Sequence, residues 1–153
     1  IKKKTQTIIR QMAQLKIIRN KEHLKMIGIL LVTHSEIGKS FIDCASHILG
    51  KSINLLECLP VDLNSDLQEC QRIIENEINN QDEGSGVLIL TDIYGATPSN
   101  ILKKYTTQDN IEVITGLNLP MLIQAITNRN GLLSKTTKAC IQSAEDGIIK
   151  MKN

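Results

Sequence analysis

The sequence predicts an α/β fold: an open, doubly wound and mostly parallel sheet with helices on both faces. Two observations support this fold. Short, continuous apolar runs that end in polar turns are typical of buried parallel strands, and they alternate with segments of helical periodicity. Because crossovers between parallel strands are right-handed, such a sheet is the default arrangement. With a strand order of 2-1-3-4, strands one and three would be neighbours at the point where ligands bind.

The first elements are predicted from Met26 onward. Residues 27–33 form an apolar strand, and the helix after it ends at Gly50, a residue typical of helix C-termini. The apolar stripe of this helix comprises Ile37, Phe41, Cys44, Ala45 and Ile48. Residues 53–59 are predicted to form the second strand.

The second helix is expected to begin at a cap formed by Asn64 or Ser65. Its apolar stripe comprises Leu67, Cys70, Ile74 and Ile78. After a polar loop, residues 87–90 form the third and most apolar strand.

The remaining residues continue the same alternation. A short helix over residues 97–105 carries Pro98 in its first turn, residues 111–115 form the fourth strand, and residues 121–128 form another helix. A final helix after Gly131 places apolar residues on one side: Leu133, Cys140, Ile141, Ala144, Ile148 and Met151.

The chain divides into two regions of different charge. Residues 1–25 contain eight Lys or Arg and one Glu, whereas residues 26–153 contain ten Lys or Arg and fifteen Asp or Glu. We expect one domain over residues 26–153 and a basic extension over residues 1–25. The favoured interpretation is that Met26 is the natural start and the extension is not native; another is that the extension is a disordered tail. Alternatively, the extension is a basic helix for an acidic partner or membrane surface, with an apolar stripe of Ile8, Met12, Leu15 and Ile18.

Composition disfavours several function classes. Phe41, Tyr94 and Tyr105 are the only aromatic residues, and the domain is acidic, so we expect no nucleic-acid partner. The longest apolar runs, about six residues, are far shorter than the roughly 20 that span a bilayer, and no secretory signal is visible. The four cysteines have no CxxC spacing. We interpret them, Cys44 included, as reduced core residues of a cytoplasmic protein.

His34 and Asp92 are the candidate catalytic residues. Each follows an apolar strand, and the predicted strand order would place them side by side. A carboxylate can hold one ring nitrogen as N–H, which leaves the other nitrogen as a nucleophile. Alternatively, His34 bonds to loop backbone and Asp92 caps the following helix. His23 and His47 are interpreted as incidental.

The segment from Gly95 to Asn100 enters a helix with small residues. Backbone N–H groups and the positive end of a helix dipole suit an anion there, and the hydroxyl of Thr97 could donate to a phosphoryl oxygen. Ser99 and Asn100 are as well suited to a role as capping or turn residues as to a ligand role. The chain has no P-loop sequence and no spacing that suggests a metal site, and we predict no cofactor.

Three motifs in this order resemble the enzyme IIA component of the mannose (mannose–fructose–sorbose) family of the bacterial phosphoenolpyruvate:sugar phosphotransferase system. Residues 33–38, Thr-His-Ser-Glu-Ile-Gly, resemble its Thr-His-Gly-x-x-Gly segment. Residues 92–100, Asp-Ile-Tyr-Gly-Ala-Thr-Pro-Ser-Asn, resemble its Asp-x-x-Gly-Gly-[Ser/Thr]-Pro-x-Asn segment. Residues 116–122, Gly-Leu-Asn-Leu-Pro-Met-Leu, match its Gly-x-Asn-[Leu/Ile]-Pro-Met-Leu segment.

The resemblance implies a phosphotransferase with a phosphohistidine intermediate. His34 would take the phosphoryl group from the phosphocarrier HPr and pass it to an enzyme IIB-type partner or a regulatory relay, and Asp92 would orient His34. The implied phosphate-binding residues are Thr97, Gly95, Ala96 and Ser35.

The resemblance also implies a homodimer in the cytoplasm, associated with a membrane permease at most peripherally. An antiparallel edge strand would be exchanged between the subunits, and residues 130–136 are the candidate segment, although their periodicity predicts no strand. The loop at residues 92–100 is similar to that of stand-alone relatives without a sugar permease, which favours regulation over sugar transport.

Two residues depart from the family pattern, because Ser35 and Ala96 stand where the family has Gly. A Cβ is costly at such positions only where φ is positive. Alternative functions are a phosphodonor subunit for a dihydroxyacetone kinase, a receiver-like domain phosphorylated on Asp92, and a non-catalytic signalling or interaction domain. A receiver-like domain needs an acidic pair after the first strand to hold Mg²⁺, where this sequence offers only Glu36.

Overall fold

The computed structural model describes residue 6, residues 25–62 and residues 64–152. The predicted stripe of Ile8, Met12, Leu15 and Ile18, and His23, lie outside the described residues, so the nature of the extension stays a prediction. Among the residues that are described, no helix has the length and apolar character needed to cross a membrane.

Four parallel strands form one sheet in the order β2-β1-β3-β4, which confirms the predicted fold class and strand order. The strands are β1 (Gly28–His34), β2 (Leu56–Val61), β3 (Val87–Thr91) and β4 (Ile111–Thr115). The helices are α1 (Ile37–Leu49), α2 (Leu67–Gln81), α3 (Thr97–Leu102), α4 (Leu119–Thr127) and α5 (Leu133–Asp146), with a 3₁₀ turn, Lys103–Tyr105, after α3.

A layer of helices covers each face of the sheet. Leu31, Leu88 and Leu90 point to the face covered by α1, α4 and α5, and Leu30 and Ile89 point to the face covered by α2 and α3. The central strands β1 and β3 therefore bury side chains on both faces, which is why their sequences are continuous apolar runs rather than alternating ones. Their carboxyl ends lie side by side and carry His34 and Asp92.

The second strand begins later than predicted, at Leu56 rather than residue 53. Leu55 has a left-handed backbone, with φ +48°, which turns the chain before the strand starts. The strand then includes Pro60, which the edge position of β2 permits because the outer N–H groups of an edge strand need no partner. Apolar pattern alone did not reveal either effect.

Two helix termini differ from the prediction. Helix α2 is capped by Asp66, whose Oδ1 accepts hydrogen bonds from the N–H groups of Gln68 and Glu69, rather than by Asn64 or Ser65. Helix α5 ends at Asp146, so Ile148 and Met151 lie beyond it and are exposed. The carbonyl of Ala144 accepts from Asn118 Nδ2, and the N–H of Ile148 bonds to Glu145 O, so the helical ladder stops there.

Two further predictions were wrong. Cys44 and Ile48 are exposed, because α1 packs through a neighbouring stripe that includes Gly38, Phe41, Ile42, Ala45 and Leu49. Residues 130–136 form no strand in this structure. They form a turn and the start of α5, where Thr136 Oγ1 donates to Asn128 O and the Lys135 N–H to Leu132 O.

Candidate functional site

A direct contact between His34 and Asp92 lies where β1 and β3 end. Asp92 Oδ2 accepts two hydrogen bonds from His34, one from its backbone N–H at 2.8 Å and one from its ring Nδ1 at 2.8 Å. Asp92 Oδ1 accepts from the N–H of Ile93 at 2.8 Å. Among the described contacts, the His34 ring has no hydrogen bond to loop backbone, and Asp92 does not cap α3. Neither alternative to the pairing is therefore observed.

The contact defines the chemical state of the imidazole. A carboxylate at Nδ1 favours the tautomer with its proton on Nδ1, so the lone pair lies on Nε2. The side chain of His34 is about a third exposed, whereas that of Asp92 is mostly buried. The ring can thus meet a reactant at the surface while its orienting carboxylate stays within the protein.

The pKa of the Asp92 carboxyl lies below its ordinary value. Burial acts to raise this pKa. Its effect is outweighed by four effects that lower the pKa: the hydrogen bonds from the backbone and the ring of His34, the hydrogen bond from the Ile93 N–H, and the charge of His34. Asp92 is therefore an anion at neutral pH, and it can stabilise a positive charge that develops on His34.

Helix α1 packs closely against the end of β1, next to His34. The N–H of Gly38 donates to Thr33 Oγ1 at 2.9 Å, which ties the first turn of α1 to the last residues of β1. A Cβ on Gly38 would lie 3.0 Å from Cys58 Cβ and 3.0 Å from Thr33 Oγ1. Both contacts are tighter than ordinary van der Waals contacts, so the close approach of α1 to the sheet favours glycine at position 38.

Ser35 adopts a left-handed backbone, with φ +43°, directly after His34. Its hydroxyl donates to Asp62 Oδ1 at 3.0 Å, at the end of β2. The hydroxyl therefore has a protein partner, and Asp62 is a residue near the site that the sequence analysis missed. Ala96, the other departure from the family pattern, has φ −83°, which suits any residue.

Ser99 organises the loop between Asp92 and α3. Its hydroxyl accepts from the N–H of Gly95 at 2.8 Å and donates to Ala96 O at 3.0 Å, while Asn100 Nδ2 donates to Gly95 O. Gly95 needs to be glycine here because its φ is +84°. The N–H of Gly95 is thus used within the loop, and Ser99 and Asn100 act as turn residues that stabilise it.

Other donors of this loop have no partner among the described residues. They include the backbone N–H groups of Ala96 and Thr97, which precede or open α3, and the hydroxyl of Thr97. No side chain caps α3. Unpartnered N–H groups at a helix start attract anions, so this part of the loop is the candidate anion site.

Exposed apolar side chains lie close in sequence to both residues of the site. Ile37 at the start of α1, together with Ile93 and Tyr94 in the loop after Asp92, is substantially exposed, and Tyr94 is 77% exposed. Exposed apolar groups grouped near reactive residues are typical of surfaces that contact another protein. A macromolecular partner could approach His34 across these residues.

Comparisons with known proteins agree with this architecture. The chain matches the EIIA-man family model, PTS system fructose IIA component, over residues 28–145. The PTS system fructose-specific EIIA component of Bacillus subtilis (strain 168) is 26% identical over 111 residues, which cover 72% of this chain and 75% of that protein.

Longer and structurally known relatives extend the comparison. The PTS system mannose-specific EIIAB component of Escherichia coli (strain K12) is 24% identical over 134 residues, which are 82% of this chain but 40% of that protein. The crystal structure of phosphotransferase system component EIIA from Streptococcus agalactiae superposes with a TM-score of 0.73 at 24% identity, covering 82% of this chain and 97% of the other. The last comparison shows a shared fold.

Proposed function

The chain belongs to the EIIA-man family of PTS system fructose IIA components, and on that premise we propose that it carries a phosphoryl group on Nε2 of His34. The observation that carries this proposal is the 2.8 Å contact between His34 Nδ1 and Asp92 Oδ2. It occupies Nδ1 and leaves Nε2 as the nucleophile.

In the accepting step, the Nε2 lone pair attacks the phosphorus of phosphorylated HPr in line. The bond from phosphorus to HPr breaks and its electron pair returns to HPr. His34 then carries phosphorus on Nε2 and a proton on Nδ1, so the ring is a cation that the Asp92 anion stabilises. The donating step is the reverse, with an enzyme IIB-type protein or a regulatory target as the acceptor.

The loop before α3 supports both steps by binding the phosphoryl oxygens. The N–H groups of Ala96 and Thr97 and the Thr97 hydroxyl are its donors, because the Gly95 N–H and the Ser35 hydroxyl already bond to Ser99 and Asp62. Phosphoryl transfer requires mainly positioning and charge stabilisation, and these residues provide both.

The test is phosphoryl transfer from phosphoenolpyruvate through purified enzyme I and HPr to this protein. We expect label that is lost in acid and persists in base on the wild type and on His47→Ala, a variant of an exposed histidine on α1, and none on His34→Ala. Base-labile label, or label on His34→Ala, would mean that another residue is phosphorylated and would refute the proposal.

The acceptor can be identified with the phosphorylated protein. A chase with an enzyme IIB of the mannose family should remove the label from the phosphorylated protein. We propose that this transfer takes place in the cytoplasm. Removal by a dihydroxyacetone kinase, with none by enzyme IIB, would instead favour the phosphodonor alternative.

We also infer that the protein is a homodimer. β4 is an edge strand of the sheet formed by the described residues. The exposed residues Ile141, on α5, and Ile148, after it, line a surface cavity together with residues of β4. Ile149, the next residue in the chain, is also exposed. Exposed edges with apolar neighbours are usually covered. Sedimentation equilibrium should give a dimer that Ile141→Asp weakens and Leu67→Asp, a change at another exposed apolar residue, leaves intact.

A further inference from the structure

A polar cleft around Arg129 lies at the end of the sheet opposite His34. We propose that this cleft binds a small organic anion, a carboxylate or phosphate ester, through Arg129 and Lys51. The cleft has a volume of about 460 Å³, within the range of small-molecule sites. Residues 27–34, which separate it from His34, span about 23 Å when extended, so this site is distinct from the phosphoryl site.

Hydrogen bonds connect Arg129 to the amino-terminal end of the sheet. Its carbonyl accepts from the N–H of Ile27 at 2.9 Å, just before β1 begins. The side-chain Nη1 of Arg129 donates to Leu55 O at 3.2 Å. Leu55 O also accepts from the N–H of Ile29 at 3.0 Å. The hydrogen bond from Nη1 ties the guanidinium to the residue just before β2, next to the start of β1.

The charge of Arg129 is incompletely compensated by the described residues. The residue is 93% buried, and the contact with Leu55 O uses one of the five N–H donors of a guanidinium. No described carboxylate lies within 4.0 Å of it, although Glu83 acts on it through space. Burial lowers the pKa of Arg129, and a buried cation with few acceptors is stabilised by an anion.

The lining of the cleft matches an anion with a short carbon skeleton. Lys51, which is exposed, adds a second positive charge, and Ser52, Asn54 and Asn130 add polar groups. Ile126 contributes an apolar wall. A guanidinium pairs with carboxylate or phosphate oxygens in a planar, bidentate manner, and the apolar wall suits the carbon atoms of the ligand.

The experiment is a titration of the full-length, ¹⁵N-labelled protein, followed by two-dimensional NMR, with inorganic phosphate in one arm and succinate in the other. We expect saturable shifts of the backbone amides of Ser52, Asn54 and Asn130, with a Kd below about 1 mM in at least one arm. The arm that saturates at lower concentration identifies phosphate or carboxylate as the preferred group. Shifts in the loop at residues 95–97 report the other site and are scored separately.

Variants keep the result independent of folding. Arg129→Gln should weaken the cleft shifts at least about tenfold. Because this variant also loses the bond to Leu55 and could unfold, Lys51→Ala provides the second test, with an expected weakening of about threefold. Lys138→Ala, at an exposed lysine on α5, is the matched control. Shifts that do not saturate in either arm, or that are equal in Lys51→Ala and Lys138→Ala, would overturn the proposal.

Discussion

A single oxygen of Asp92 fixes both the backbone and the ring of His34, because Oδ2 accepts from the His34 N–H and from Nδ1, each at 2.8 Å. This arrangement joins the ends of β1 and β3 directly. The orientation of the imidazole is therefore coupled, through the Asp92 carboxylate, to the main chain at the end of its own strand.

Substitution of Asp92 by Asn should slow phosphorylation of His34 by about 10- to 100-fold, because a hydrogen bond to a charged group contributes about 1.5–3 kcal/mol. The Asn oxygen can accept from only some of the present donors, and it brings no charge to the phosphorylated ring. Single-turnover labelling from HPr measures the rate. Asp109→Asn, at an exposed loop residue, should retain the wild-type rate, and an equal rate for Asp92→Asn would contradict the assigned role.

The pH dependence of stability should also report Asp92. Its pKa in the folded state is lower than the ordinary 3.8, so the folded state binds fewer protons than the unfolded state as acid is added. The stabilisation is present above pH 3.8 and is lost as the pH falls through the lower, folded-state pKa. Urea unfolding should show a larger difference between wild type and Asp92→Asn at pH 7 than at pH 3, and a constant difference would refute this.

The pairing of His34 with Asp92 could be predicted from sequence because both residues directly follow buried strands whose order is set by crossover rules. Contacts made by edges and loops could not be predicted this way. The hydrogen bond from Ser35 to Asp62 depends on where β2 ends, and the predicted bounds of that edge strand, residues 53–59, were wrong. The role of Ser99 as the organiser of the loop depends on a backbone conformation that leaves no periodic signal.

Helix α1 shows the same limit on its surface. Two overlapping stripes fit a helical period, and the sequence favoured the one with Cys44 and Ile48, which are exposed. Gly38 marks the stripe that packs, because close approach of a helix to a sheet needs a residue without a Cβ. A glycine within a helical pattern was the signal that could have corrected the prediction.

Glycine at the two departures from the family pattern should affect stability differently, because the two backbones differ. Ser35 has φ +43°. Ser35→Gly and Ser35→Ala both lose the bond to Asp62, but only Ser35→Gly relieves the left-handed backbone, so it should be about 1 kcal/mol more stable than Ser35→Ala. Ala96 has φ −83°, so Ala96→Gly should lose about 0.5–1 kcal/mol. Urea unfolding at pH 7 measures all three, and a destabilisation of Ser35→Gly below Ser35→Ala would contradict the strain argument.

Gly38→Ala should destabilise the protein by about 1–3 kcal/mol, because its Cβ overpacks the contact between α1 and the sheet. The neighbours are Cys58 Cβ and Thr33 Oγ1, both at 3.0 Å. Gly131→Ala is the control, since the nearest atom to its Cβ would be Thr136 Oγ1 at 3.8 Å. Thermal unfolding followed by circular dichroism measures both, and equal midpoints would show that α1 can move away without cost.

Thr97→Val should lower the rate of phosphoryl transfer while leaving the fold intact, because it removes a hydroxyl that has no partner among the described residues and keeps the side-chain shape. A lost hydrogen bond to a charged phosphoryl group corresponds to a decrease of about 10- to 100-fold. Thr97→Ser should restore most of the rate, since it returns the hydroxyl without the methyl group. The backbone N–H groups of Ala96 and Thr97 remain in every variant, so residual transfer by Thr97→Val is expected. Labelling of the three proteins under single-turnover conditions decides the matter: if Thr97→Val matches the wild type, the backbone alone binds the phosphoryl group.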